Sequence, residues 1–155
     1  MNLKNKLIIA TILTVFTVPA FATTVLTYGE PGPNRGSRAE ATKWFAQEID
    51  KRSGGDLKID IMWGGALFKA NTARQSIATG VADMGTIIAD YFPKDMTSYT
   101  IANLPFDNQD PWVGLKASFD HMKSPDIRHN LAKQNLAFLT SYTISDIILM
   151  CKGDA

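Results

Sequence analysis

The chain predicts an α/β fold with a mostly parallel sheet flanked by helices. Three short strand-like runs, Val25–Tyr28, Leu57–Ile61 and Ala82–Ala89, are separated by helix-like stretches, and strands joined through helices pair in parallel by right-handed crossovers. The composition supports this: 155 residues, 45% hydrophobic and 20% charged, are enough to bury a core.

Taken in order, residues 1–22 read as a cleaved secretion signal. Lys4 and Lys6 precede the uncharged run Leu7–Val18, and Pro19 leads to the small-residue site Ala20-Phe21-Ala22, with cleavage expected after Ala22. The run is shorter than the ~20 residues a membrane-crossing helix needs, and no later segment is long or apolar enough to span a bilayer. Residues 23–155 are therefore expected to form one exported α/β domain.

Val25–Tyr28 is rich in strand formers and runs into 29–36, whose glycines and prolines no regular element tolerates. Ser37 and Glu40 fit a capping box, with Ala41, Trp44, Phe45 and Ile49 as the core stripe of a helix ending at Ser53-Gly54-Gly55. Leu57–Ile61 alternates apolar and charged residues, as a strand with one wet face does, and ends at Met62-Trp63-Gly64-Gly65. Asn71 is placed to cap a second helix through Thr79. Ala82–Ala89 is more continuously apolar and so predicts the central strand. Asp110-Pro111 opens a helix with the stripe Trp112, Leu115, Phe119 and Met122, and Ser124-Pro125 opens another carrying Ile127 and Leu131. Leu136–Tyr142 and Ile147–Cys151 predict two last strands.

Chemistry-bearing motifs are sparse. The net charge of +1 and the lack of a basic run argue against nucleic acid or an anionic membrane as partner. His121 and His129 are eight apart and do not make the helical pair that presents two metal ligands, so both read as surface residues and no metal site is expected. No nucleotide fingerprint, nucleophile elbow or Cys-x-x-Cys is present, and no cofactor is expected. Cys151 is the only cysteine and reads as a buried thiol outside any disulfide. Open parallel sheets bind ligands beyond the carboxyl ends of their strands, which singles out three loops. Tyr28–Asn34 precedes a helix whose free N–H groups favour an anion, with Arg35 and Arg38 close by and read as solvated. Met62–Gly65 offers Trp63 as a cover for a ligand or, alternatively, as a residue buried against the next helix; Trp44 is assigned to the core. Ala89–Tyr91 is polar and aromatic directly after the third strand.

Trp44–Ile49, the turn Ser53–Ile59, the helix end Ala78–Met84 and Leu104–Phe106 followed by a helix, in this order and spacing, resemble the N-terminal part of the DctP-like family. These are the extracytoplasmic substrate-binding proteins of tripartite ATP-independent periplasmic (TRAP) transporters, and the resemblance covers nearly all of residues 23–155. It implies a periplasmic-binding-protein-like type II architecture, two α/β domains whose cleft closes on a small organic acid and delivers it to TRAP permease subunits in the membrane, without chemistry. It also implies a periplasmic location. Family members are roughly twice as long, so the second domain, with the arginine that clamps the ligand carboxylate, is expected to be missing here. A second family arginine aligns at Ile147. The ligand-binding positions that carry over are Tyr28, Glu30, Pro31, Trp63, Ile88, Ala89, Asp90, Tyr91, Thr143 and Asp146. Two alternatives stand beside this reading. One is a secreted hydrolase using a carboxylate pair among Asp83, Asp90 and Asp107; the other is a secreted interaction module with no small ligand.

Overall fold

In the computed structural model, which describes residues 22–100 and 110–142, β1 (Thr24–Gly29) is the first element. Its β-branched and aromatic side chains suit a pleated surface. The chain then turns into α1 (Gly36–Arg52) and returns as β2 (Leu57–Met62), parallel to β1 from Thr24 opposite Leu57 to Gly29 opposite Met62. Lys58 and Asp60 are exposed while Ile59 and Ile61 are half-buried, as the alternation predicts. A single 3-10 turn, Ala70–Thr72, feeds α2 (Ala73–Ala78), and β3 (Met84–Gly85) pairs with the other side of β1. The sheet order is β2-β1-β3, all parallel. Beyond it come a 3-10 turn at Ala89–Tyr91, then α3 (Thr97–Thr100), α4 (Pro111–Met122) and α5 (Pro125–Lys133).

The parallel α/β architecture is as expected, and five local expectations are corrected. The third strand is two residues long, and among the described residues it lies at the edge of the sheet, with β1 in the centre. Its start is cut short because the Asp83 carboxylate accepts the Thr27 N–H at 2.7 Å, replacing a ladder bond. Its apolar neighbours Ala82 and Ile87 pack into the core beside it. Trp44 is 60% exposed and Ala41 is also exposed. Helix α1 instead buries Ala39 and Thr42, small residues that allow close approach to the sheet, with Phe45 and Ile49 half-buried. Neither Ser37 nor Asn71 is an N-cap: α1 follows extended Arg35 and α2 follows Thr72, and neither has a side-chain capping bond. Leu136–Tyr142 joins no ladder. Arg38 is not simply solvated, as described below. Residues 1–21, Leu104–Phe106, Asp107, Thr143, Asp146 and the expected strand Ile147–Cys151 lie outside the described residues.

The later helix openings follow the sequence. The Asp110 carboxylate accepts the Trp112 N–H at 2.9 Å at the head of α4, and Ser124-Pro125 starts α5. The stripe of α4 is only partly covered, since Trp112 is 75% exposed. The core consists of Phe68, Ala73 and Ala82 on one side and Phe92, Met96, Tyr99, Ile127, Leu131 and Leu136 on the other, with Ile77 and Ile87 packed against both groups. Each large apolar side chain buried there stabilises the fold by about 1.5–3 kcal/mol. Among the described residues no helix is long and apolar enough to cross a membrane.

Candidate functional site

Parallel pairing places the carboxyl ends of all three strands on one edge, and backbone hydrogen bonds stitch their loops together. The Glu30 N–H donates to Met62 O (2.9 Å), Gly64 N–H to Gly32 O (2.8 Å) and Gly65 N–H to Glu30 O (3.0 Å). The third loop joins through Thr86 N–H, which donates to Gly29 O at 3.1 Å. Close approach is possible because β1 and β3 end in glycine: a Cβ at Gly29 or Gly85 would run into the Phe68 ring, and at Gly85 also into the Gly29 carbonyl.

Glu30, the residue after β1, is 1% exposed. A buried carboxylate needs donors, and three supply them. Arg38 Nη1 donates to Oε1 at 2.6 Å, Gly32 N–H donates to Oε1 at 2.7 Å, and the Thr86 hydroxyl donates to Oε2 at 2.7 Å. Thr86 has a single hydroxyl proton, so the Tyr28 hydroxyl, 2.8 Å away, must donate to Thr86 Oγ1. The result is a relay from Tyr28 through Thr86 to Glu30, closed by the Arg38 guanidinium. Burial pushes the Tyr28 phenol up to about 12, partly opposed by its hydrogen bond to Thr86 and reinforced by the Glu30 charge. Burial alone would lower the Arg38 pKa. The Glu30 carboxylate and the neighbouring Tyr142 outweigh it and hold the guanidinium above its ordinary value.

The structure thus brings together Tyr28, Glu30 and the Met62–Gly65 loop. Pro31 and Trp63 are half-buried beside them, so Trp63 is neither a core residue nor free in solvent. Ala89 is half-buried in its 3-10 turn, while Ile88, Asp90 and Tyr91 are exposed, Tyr91 at 55%. Arg35 is exposed. Glu30 reaches the loop surface through Arg38, because its own carboxylate is enclosed. Sequence reading missed Thr86 and Phe68. No local motif marks either residue: Thr86 meets Glu30 across 56 positions, and the Phe68 ring matters only because two strand ends close over it.

Other parts of the molecule carry less chemistry. An apolar groove of about 310 Å³ lies between α1 and the sheet, lined by residues including Leu26, Phe45, Ile59 and Leu139. A second, of about 430 Å³, lies along α4 between Trp112, Phe119 and Ser141. His121 and His129 are both exposed, with His121 Nε2 3.1 Å from Ser98 O. Among the described residues no three His, Cys, Asp or Glu side chains are grouped to hold a metal ion.

The model of the DctP family, bacterial extracellular solute-binding protein family 7, matches residues 29–147. No curated protein matches the chain. Solved structures do. A TRAP solute-binding protein from a marine metagenome, specific for pyroglutamate, is 22% identical with a TM-score of 0.63, covering 74% of this chain and 37% of its own. One from Fusobacterium nucleatum with bound sn-glycerol-3-phosphate is 18% identical, TM-score 0.54, over 73% of this chain and 35% of its own. One from Sulfitobacter sp. NAS-14.1 with bound β-D-galacturonate is 15% identical, TM-score 0.57, over 72% and 37%. These likenesses establish a shared fold, and the chain spans about a third of the length of each solved relative.

Proposed function

The chain belongs to the DctP family of bacterial extracellular solute-binding proteins, and from that premise we propose that it supplies one wall of a cleft capturing a small organic acid for TRAP permease subunits. The observation that carries this is the convergence of three strand-end loops at one sheet edge, knitted by backbone hydrogen bonds around Glu30. That is where open parallel sheets hold ligands. The wall is formed by Tyr28, Glu30, Pro31, Trp63 and Ile88–Tyr91, with Thr143 and Asp146 on the chain that follows. A second domain closes over it. Each of the three solved relatives holds a solute with one anionic group, a carboxylate or a phosphate, which supports an acid as the cargo. Secretion through residues 1–22, with cleavage after Ala22, and residence in the periplasm complete the reading.

The hydrolase alternative gains no supporting observation. The Asp83 carboxylate is engaged by the Thr27 amide, and Asp107 lies outside the described residues. The matched family and the solved relatives are solute-binding proteins.

Calorimetric titration of the whole gene product with pyroglutamate, galacturonate and other small organic acids tests the proposal, with residues 23–155 titrated alongside. One acid binding with 1:1 stoichiometry is expected. A protein that takes up none of them, yet is folded, contradicts it.

A further inference from the structure

Arg38 stands out as a cation placed where its role is not exhausted by its ion pair. Its Nη1 is bonded to Glu30, its Nη2 makes a long 3.5 Å contact to Pro33 O, the Tyr142 side chain hydrogen-bonds to the same head, and a quarter of the side chain stays exposed. The guanidinium lies directly over Gly32, where a Cβ would collide with it. Gly32 in turn is bonded to Gly64 of the neighbouring loop. The planar head therefore sits at the carboxyl ends of β1 and β2, held by the Glu30 carboxylate and Tyr142 and still partly exposed. Arginine is suited to this, since its fork can bind two acceptors in one plane and its charge is permanent. Glu30 holds the head in register, and Thr86 and Tyr28 hold Glu30.

We propose that Arg38 is the anion anchor that this chain contributes to the cleft, meeting the carboxylate or phosphate of the solute, and that Glu30 is the residue that positions it. This rests on the solute-binding reading above and assigns the charged contact within it. The pairing sets a consequence: the Glu30 charge opposes the attraction that an incoming anion feels from Arg38, so the two substitutions act in opposite directions.

The test uses the whole gene product and three matched pairs of probes: pyroglutamate with 2-pyrrolidinone, galacturonate with galactose, and glycerol 3-phosphate with glycerol. For whichever acid binds, Glu30→Gln, which keeps the shape and removes the charge, raises the affinity and steepens its dependence on salt, with no gain for the neutral partner. Glu30→Gln combined with Arg38→Gln, which leaves no unpaired buried charge, weakens the acid about tenfold or more relative to the wild type. A double variant with unchanged near-ultraviolet circular dichroism that binds the acid as tightly as the wild type overturns the proposal and leaves the solute-binding reading intact. A wild-type protein that binds none of the acids overturns both.

Discussion

Thr86→Val removes one hydroxyl and almost no volume, and the structure fixes what that hydroxyl does. It donates to the buried Glu30 Oε2 at 2.7 Å and accepts from Tyr28 at 2.8 Å, at a residue 6% exposed. A hydrogen bond to a charged group is worth about 1.5–3 kcal/mol, and an ordinary one about 1 kcal/mol. The substitution is therefore expected to destabilise the chain by about 2–4 kcal/mol, a large share of the 5–15 kcal/mol typical of a domain. Urea unfolding followed by circular dichroism measures it: the midpoint falls by about 1–2 M at an unchanged slope. Thr86→Ser keeps the hydroxyl and loses only a methyl group, at a cost of about 1 kcal/mol. Combining Thr86→Val with Tyr28→Phe gives less than the sum of the two, because both break the same bond. A Thr86→Val variant within about 0.5 kcal/mol of the wild type, or strict additivity with Tyr28→Phe, refutes the relay.

Three further outcomes follow from the same geometry. With the folded Tyr28 pKa at about 12 against 10.0 for the free phenol, the unfolded chain loses its proton first. Stability is therefore fully present below pH ~10 and falls by about 3 kcal/mol as the pH rises to ~12, and Tyr28→Phe flattens that part of the pH titration. Gly29→Ala and Gly85→Ala each cost about 1–3 kcal/mol by overpacking, measured by thermal unfolding. Phe68→Ala in the same chain relieves the Gly29→Ala clash and leaves Gly85→Ala impaired, since its other obstacle is the Gly29 carbonyl. Asp110→Ala removes the cap of α4 and lowers stability by about 1 kcal/mol in a denaturant titration.

What could be read from the sequence was local. The alternation in Leu57–Ile61, the breakers between Gly29 and Gly36, and the Asp110-Pro111 and Ser124-Pro125 openings each depend on neighbours within a few residues, and the elements formed there. Composition misled where a run served packing. Ala82–Ala89 is apolar because Ala82 and Ile87 line the core, and only Met84 and Gly85 pair with β1. Trp44 has the right hydrophobicity and the wrong angle on its helix: Ala39 and Thr42 set the buried face, and Trp44 falls outside it. The candidate site was legible as loops. Its inner workings were not, since the carboxylate of Glu30 is completed by partners 2, 8 and 56 positions away, and only the folded chain brings them to one point.

The central claim is that the strand-end loops of β1, β2 and β3 form the solute wall. Backbone amide NMR shifts of the isotopically labelled whole gene product, recorded as an acid that binds in calorimetry is added, test it most directly. The largest changes are expected at Gly32, Gly64, Gly65 and Ala89–Tyr91, with the Arg38 side-chain N–H signals moving alongside them. Changes concentrated instead around Phe119 and Ser141, or around Phe45 and Ile59 beneath α1, would place the solute in an apolar groove and contradict the account.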